Sequence, residues 1–296
     1  MRLILIGGAQ RSGTTLLQTL IANTLDTPVL PEDHILCDLL TSYRRAKEFA
    51  KKTCYFYRTD AELLNYFRLC ADRHIVDVVK ATKPGPWLVI KDPNLSRVED
   101  EAFAVFPDSI RDPRDIAASF IRIGERQRNT EPIKYSKREL APICSRIEMS
   151  YRTLLSRAPD SRLFLVRYES LASEPQRTLE TLGRQAGLDL SFDLLSEPSW
   201  LPADARHQQA WITELEGQKP SAASVGSYRS VLRPSDVIFV EAICEDFMVW
   251  AGYERSGLLP ATRPKRLTHA IYRRLKRLYR AANPRSPVQS LGQASD

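Results

Sequence analysis

The chain has 296 residues, of which 43% are hydrophobic and 27% charged, and this balance excludes a globally disordered protein. Its formal net charge of +7 favours an anionic partner, such as a nucleotide, an acidic glycan or a membrane surface. No apolar run approaches the roughly 18 residues that a membrane-spanning helix needs. We expect a cytoplasmic protein, because no signal-peptide pattern opens the chain and its five cysteines are scattered, without a C-x-x-C pair.

The first third of the chain alternates short apolar segments with helical patterns. Residues 2–6 predict a buried strand that a glycine pair ends, and a helix with one apolar face begins at Gly13. Four further elements are predicted there: a short strand at Val29–Leu30, helical structure over most of 34–80, a strand at Trp87–Lys91 and a helix over 95–106.

The remaining two thirds continue this alternation. Pro113 suits the first turn of a helix, which we predict to run to Gly124. The other predicted elements are an amphipathic helix over 137–157, a strand over 162–169, a helix that ends at Gly187, irregular structure over 196–230 and a helix from Pro234 to Trp250.

Strands that alternate with helices predict a parallel sheet built from βαβ units. We therefore expect an α/β fold with a P-loop-like parallel sheet flanked by helices, in three α/β/α layers. Ligands of such sheets bind at the carboxyl ends of the strands. Polar stretches follow predicted strands at residues 7–15, 91–94 and 167–170, so these three stretches are the first candidates for a site.

The end of the chain differs in composition from the rest. We predict one domain over 1–255, followed by a basic amphipathic helix and a disordered tail over 256–296. Leucine and isoleucine residues share one face of this helix, while lysines and arginines cover its other faces. Residues 263–282 are therefore a candidate contact for an anionic membrane surface or a polyanion. The alternative is a helix that docks on the domain and leaves its basic face in solvent.

The segment GAQRSGTT, residues 8–15, has the G-x-x-x-x-G spacing of a phosphate-binding loop, but a threonine stands where that pattern has lysine. Its backbone N–H groups and the following helix N-terminus favour an anion. The hydroxyls of Ser12, Thr14 and Thr15 and the guanidinium of Arg11 can also bind phosphate oxygens. Without the lysine and a magnesium-binding aspartate, we expect a loop that holds one phosphate-like group. A plain strand-to-helix turn is the alternative.

A second candidate anion site lies in the segment IRDPRDIAASF. Arg111 precedes the helix that begins at Pro113, and Ser119 follows Arg111 by about two helical turns, so both can face the same side. An arginine and a helical hydroxyl together can hold a second phosphate, although Arg-Asp-Pro also occurs in ordinary helix capping. The two sites together indicate a ligand with two separate anionic ends.

The segments GGAQRSGTTLL, IRDPRDIAAS and VGSYRSVL together resemble the PAPS-dependent sulfotransferases. PAPS is 3′-phosphoadenosine-5′-phosphosulfate, which has two such anionic ends. The resemblance implies that Arg111 and Ser119 bind the 3′-phosphate and that Tyr168 lies beside the adenine. It implies a 5′-phosphosulfate loop of Arg11, Ser12, Gly13, Thr14 and Thr15, and a late loop over the nucleotide made of Gly226, Ser227, Tyr228 and Arg229.

Two further segments, IKDP and LPEDHIL, resemble the tyrosylprotein and carbohydrate-type branch of that family. This resemblance implies that Glu32 is the catalytic base and that Lys91 and Arg11 stabilise charge during sulfuryl transfer, with no metal. His34 and Asp33 are alternative bases. The acceptor implied is a hydroxyl of a carbohydrate, a glycolipid or a small metabolite, and we expect no nucleic-acid partner.

One segment departs from the family pattern. The resemblance calls for a full hydrophobic strand between FPDS and IRDPRD, and here the two segments are almost contiguous. Either residues 102–106 supply that strand after a shortened helix, or a core strand lacks several residues and activity is reduced.

Two other functions remain open at this point. An ATP-dependent small-molecule kinase shares the strand–loop–helix, but the absent lysine disfavours it. A non-catalytic nucleotide-binding or polyanion-binding module would bind in a strongly salt-dependent way and would not need Glu32 or Lys91.

Overall fold

The structure is a computed structural model that describes residues 1–49, 56–98, 106–127, 139–156, 164–190 and 218–258, with four single residues of the tail. A parallel sheet of four strands lies at the centre of the described chain, in the order β2-β1-β3-β4. The strands are β1 (Arg2–Gly8), β2 (Trp87–Lys91), β3 (Phe106–Ile110) and β4 (Leu165–Arg167). The predicted α/β fold is confirmed.

Helices cover both faces of the sheet, and the alternating side chains of the strands show why. Ile4 and Ile6 of β1 pack on one face, in a core shared with Leu17 and Leu179 from two covering helices. Leu5 points to the opposite face and packs in a different core. Because both faces of the strands are buried, they are almost continuously apolar, and three α/β/α layers result.

The helices bear out most of the predicted segments. In chain order they are α1 (Thr14–Thr24), α2 (His34–Glu48), α3 (Asp60–Thr82), α4 (Leu95–Val98), α5 (Pro113–Gln127), α6 (Leu140–Ser156), α7 (Tyr168–Ser173), α8 (Pro175–Ala186), α9 (Tyr228–Val231), α10 (Pro234–Ile243) and α11 (Glu245–Ala251). The single helix predicted from Pro234 to Trp250 is wrong, because the backbone leaves the helical conformation at Cys244, with ψ of 14°.

The segment just before Arg111 corrects a sequence-based expectation. The segment FPDSI itself forms β3 and leads directly into Arg111, so of the predicted stretch 102–106 only Phe106 is seen in the strand, and residues 102–105 lie outside the described residues. Ile6 pairs with Phe106 and Gly7 with Asp108, so a register shift leaves Pro107 without a partner on β1. A proline has no N–H to donate to the ladder, and it is tolerated at such a bulge because the bulged residue needs no partner. A segment with a proline and two buried polar residues, Asp108 and Ser109, does not have the apolar pattern that predicts an inner strand.

Two other predicted strands are also corrected. Val29–Leu30 is not a strand, and the pairing there is a single bridge between Glu32 and Lys91. The strand predicted over 162–169 spans Leu165–Arg167, because α7 begins at Tyr168.

Parts of the chain beyond these elements leave some expectations untested. The rest of the helix predicted over 95–106 and nearly all of the basic helix at 263–282 lie outside the described residues. The division at residues 255 and 256 therefore stays a prediction. Among the residues that the structure describes, no helix is long and apolar enough to cross a membrane.

Candidate functional site

The polar residues that follow β1, β2 and β3 lie together at the carboxyl ends of the parallel strands. The loop between β1 and α1 occupies the middle, because β1 lies between β2 and β3. Lys91 ends β2 on one side of the loop, and Arg111 follows β3 on the other. Three segments of the sequence that are far apart thus form one candidate site.

The loop after β1 follows a path that its residue types permit. Arg11 has φ of 72° and Gly13 has φ of 95°, so the chain turns sharply before α1 begins. Ser12 N–H donates to Ala9 O at 3.0 Å, and Ser109 Oγ donates to Ser12 O at 2.6 Å, which ties the loop to β3. Within the described part of the chain no side chain caps the N-terminus of α1, whose first N–H groups therefore suit an anion.

Gly13 of the loop is tightly constrained by the structure. A Cβ atom there would lie 2.2 Å from Cδ2 of Tyr168. We expect Gly13→Ala to lower the free energy of unfolding by about 3 kcal/mol, because it combines a steric overlap with a disfavoured φ. Urea unfolding of the purified variant measures this loss.

Gly187 provides the matched control for that substitution. Its φ is 66°, and a Cβ atom there would meet nothing within 4 Å. Gly187→Ala should therefore cost about 1 kcal/mol from the backbone alone. Equal losses in the two variants would show that the contact with Tyr168 does not constrain the loop.

The two candidate anion sites are joined rather than separate. Arg11 Nε donates to Ser119 Oγ at 3.2 Å, so the loop arginine pairs with the helical hydroxyl assigned to the second site. Arg111 is 6% exposed, and its Nη1 and Nη2 donate to the carbonyl oxygens of Arg11 and Ser224 at 3.0 and 2.8 Å. Arg111 therefore fixes the backbone of the loop, while Arg11 lies beside Ser119.

Tyr168 is buried at the centre of this arrangement. The guanidinium of Arg111 lies 4.2 Å from the centre of its ring, Gly13 approaches the same ring, and its hydroxyl bonds to Ser224 Oγ. The start of α7 thus connects the loop after β1 with the chain near residue 224.

The late loop, Gly226–Arg229, is tied to the same region. Asp115 in the first turn of α5 accepts hydrogen bonds from the N–H groups of Gly226 and Tyr228 at 2.7 and 2.9 Å. Ser227 Oγ donates to the same carboxylate at 3.3 Å. Arg229 is exposed, and its guanidinium lies 4.9 Å from the centre of the Tyr228 ring.

Lys91 connects the phosphate-type loop with the candidate base. Its side chain is 3% exposed, and Nζ donates to Thr15 Oγ1 at 2.9 Å and lies 3.4 Å from Glu32 Oε1. The bridge between Glu32 and Lys91 and the hydrogen bond from Asp33 N–H to Lys91 O at 2.9 Å hold residues 32 and 33 against the end of β2. One ammonium group is therefore shared by the loop and by the candidate base.

His34 and Asp92 form a second polar pair beside Glu32. His34 Nδ1 lies 2.7 Å from Asp92 Oδ2, and His34 Nε2 lies 3.9 Å from Glu32 Oε2. Burial lowers the pKa of His34, but the hydrogen bond and charge of Asp92 outweigh it, so the pKa is raised overall. Burial raises the pKa of Asp92 by more than its hydrogen bonds with Asn94 and His34 lower it. The side chain of His34 is 65% exposed, so Nε2 is accessible to an acceptor.

Two residues of the site, His74 and Asp115, had no assignment in the sequence analysis. His74 Nε2 lies 2.7 Å from Asp33 Oδ2, and Asp33 also caps α2 by accepting from Leu36 N–H at 3.0 Å. Asp115 was likewise not assigned, although its position four residues after Arg111, in the same motif, is a signal that could have identified it. His74 is 41 residues from its partner and lies in no motif, so no local pattern could indicate it.

Comparison with known proteins gives a family. A family model described as "Sulfotransferase family" matches residues 4–192. Among solved structures, the sulfotransferase domain from the Synechococcus PCC 7002 olefin synthase is similar at 19% identity and a TM-score of 0.49, over 86% of this chain and 95% of that one. The sulfotransferase domain from the curacin biosynthetic pathway is similar at 15% identity and a TM-score of 0.49, over 86% and 99%. No curated protein matches this chain.

The match to the family model spans well over half of the chain. It includes the loop after β1, the end of β2 with Lys91, and the segment of Arg111 and Ser119. The same segments meet at one edge of the sheet in the structure. This chain belongs to the sulfotransferase family.

Proposed function

We propose that this sulfotransferase uses PAPS as its sulfuryl donor and transfers the group to a hydroxyl of an acceptor. The observation that carries the proposal is the position of Lys91, whose ammonium reaches both Thr15 of the loop and Glu32. A donor group held by the loop and an acceptor hydroxyl at Glu32 would then meet next to one buried positive charge. Such an arrangement suits a transfer in which negative charge develops between donor and acceptor.

The residues present fit a ligand with phosphate-type ends. Ser12 Oγ and Arg111 Nε are buried and have no hydrogen-bond partner within the described ranges, which is costly unless a ligand supplies one. In the proposal, Ser12, Gly13, Thr14 and Thr15 hold the 5′ end through backbone N–H groups and hydroxyls. Arg111, through its unpartnered Nε, and Ser119 hold the 3′-phosphate, and Arg11 of the loop bonds to Ser119 Oγ from the side of the 5′ end.

PAPS supplies the sulfuryl group: the bond between sulfur and the bridging oxygen of the 5′-phosphate breaks as the acceptor oxygen bonds to sulfur. In the proposal, Glu32 accepts the proton of the acceptor hydroxyl. Lys91 and Arg11 stabilise negative charge on the transferring group and on the departing phosphate. His34 is the alternative base, since its Nε2 is exposed and Asp92 fixes the ring through Nδ1.

The acceptor in this proposal is a hydroxyl compound of the carbohydrate, glycolipid or small-metabolite class. Its support is the resemblance of IKDP and LPEDHIL to the branch that acts on such hydroxyls. A contact between residues 263–282 and an anionic membrane surface or polyanion also remains a proposal.

The donor assignment is tested by calorimetric binding of PAP, the desulfonated nucleotide. The native chain should bind PAP, and Arg11→Ala and Ser119→Ala should each weaken binding by about tenfold or more, because each removes a hydrogen bond to a charged group. Arg177→Ala is the control, because Arg177 is exposed on α8 and pairs with Glu174 at 3.1 Å. No binding by the native chain, or unchanged binding by both site variants, would reject the assignment.

A further inference from the structure

The carboxylate of Asp115 is buried against a loop that is distant in the sequence. The residue is 1% exposed, and its two oxygens accept three hydrogen bonds, all from residues 226–228. An acidic residue in the first turn of a helix ordinarily complements the helix dipole or bonds to N–H groups of its own helix. Here, the oxygens of Asp115 bond to a segment more than 110 residues further along the chain.

A second set of contacts holds the same stretch of chain just before these residues. Arg111 Nη2 donates to Ser224 O, and the hydroxyl of Tyr168 bonds to Ser224 Oγ. Arg111 and Asp115 lie on either side of the start of α5, so one short segment contacts both ends of the stretch from 224 to 228. The guanidinium of Arg114, which lies between them, packs 4.6 Å from the centre of the Tyr228 ring.

We propose that Asp115 is a positioning residue for the donor nucleotide, an inference that rests on the proposed function. It holds residues 226–229, the late loop with the first residues of α9, against α5 before any nucleotide binds, so that this stretch needs little further ordering when the nucleotide binds. Two backbone N–H groups that donate to one buried carboxylate require a fixed loop path, and Gly226 with φ of 70° permits that path. A preorganised loop binds more tightly than one that must first become ordered.

Asp115→Asn tests the proposal because it keeps the size of the side chain. The side-chain amide of asparagine has one oxygen, so its NH₂ group must face at least one of the groups that donate hydrogen bonds to the Asp115 carboxylate. We expect the amides of residues 226–228 to exchange hydrogen at least about tenfold faster in the variant, and its affinity for PAP to fall by about tenfold. Hydrogen-exchange mass spectrometry and calorimetry measure the two effects.

Asp236→Asn is the matched control. Asp236 is also buried in the first turn of a helix, but it accepts from Arg233 N–H at 3.1 Å and does not bond to the late loop. It should lower the melting temperature and leave exchange at 226–228 and PAP affinity unchanged. A fall in PAP affinity equal to that of Asp115→Asn would overturn the specific role of Asp115.

The remaining outcomes separate this proposal from the donor assignment. Failure of the native chain to bind PAP rejects the donor assignment and with it the positioning role for a nucleotide, whereas the exchange data still show whether Asp115 anchors the loop. Native amides at 226–228 that exchange rapidly without nucleotide would overturn the anchoring, even if Asp115→Asn failed to fold. Faster exchange in Asp115→Asn with unchanged PAP affinity would overturn the positioning role alone.

Discussion

Lys91→Met should lower kcat by about 10²–10³-fold, the effect of removing one donor that stabilises developing charge in a water-poor site. Methionine has a similar length and fills the same buried space, but it donates nothing to Thr15 and has no charge opposite Glu32. Removing one partner of a buried ion pair destabilises a protein, but Glu32 is partly exposed and water can solvate it, so we expect a lowered melting temperature without loss of the fold. Steady-state sulfuryl transfer from PAPS, followed by PAP formation, measures the loss.

Lys80→Met is the control for this experiment. Lys80 is two-thirds exposed on α3, and it lies 3.9 Å from the carboxylate of Asp77 on the same helix. The same chemical substitution there should leave kcat unchanged. A Lys91→Met variant that folds, binds PAP and retains nearly native kcat would contradict the role assigned to Lys91.

Glu32→Gln should lower kcat by about 10²–10⁴-fold, the usual contribution of a general base. The amide keeps the shape of the side chain but does not accept a proton from the acceptor hydroxyl. Affinity for PAP should stay close to native, because the contacts of Glu32 are with Lys91 and His34 and not with the loop after β1. Glu180→Gln, on the exposed side of α8, is the control.

The pH dependence distinguishes Glu32 from His34 as the base. A histidine base must be neutral, and the pKa of His34 is raised by Asp92 above the ordinary value near 6.5. With His34 as base, kcat would therefore be lost as pH falls through that raised pKa. With Glu32 as base, His34→Gln should keep substantial activity, and the dependence of kcat on pH should keep the shape that it has in the native protein. Retained turnover in Glu32→Gln together with its loss in His34→Gln would assign the base to His34.

Local patterns in the sequence were sufficient for two strands of the sheet and for the turn between β1 and α1. The apolar segments of β1 and β2 predict buried strands because both faces of a covered parallel sheet are apolar. The glycine spacing and hydroxyls of residues 8–15 indicate an anion-binding turn, because all the groups that would bind the anion lie within these eight residues. By contrast, β3 was misassigned, because Pro107 is acceptable only where a bulge removes its partner on β1.

Which side chains bond to one another was decided by the tertiary structure. The assignment of Arg111 and Ser119 to one phosphate stays a prediction. The fold adds contacts that the sequence did not indicate: Ser119 bonds to Arg11, 108 residues away, and Arg111 holds backbone carbonyls. Residue spacing limits which side chains can share a face, but it does not specify partners across a sheet.

The sequence by itself determined the α/β class, the phosphate-type loop and the family resemblance, since each depends on residues that are close together along the chain. Only the tertiary structure decided that Lys91 joins the loop to Glu32 and that Asp115 holds the late loop. The physical reason is distance along the chain: hydrogen bonds between residues 76 or 111 positions apart depend on how strands and helices pack, and that packing leaves no local pattern.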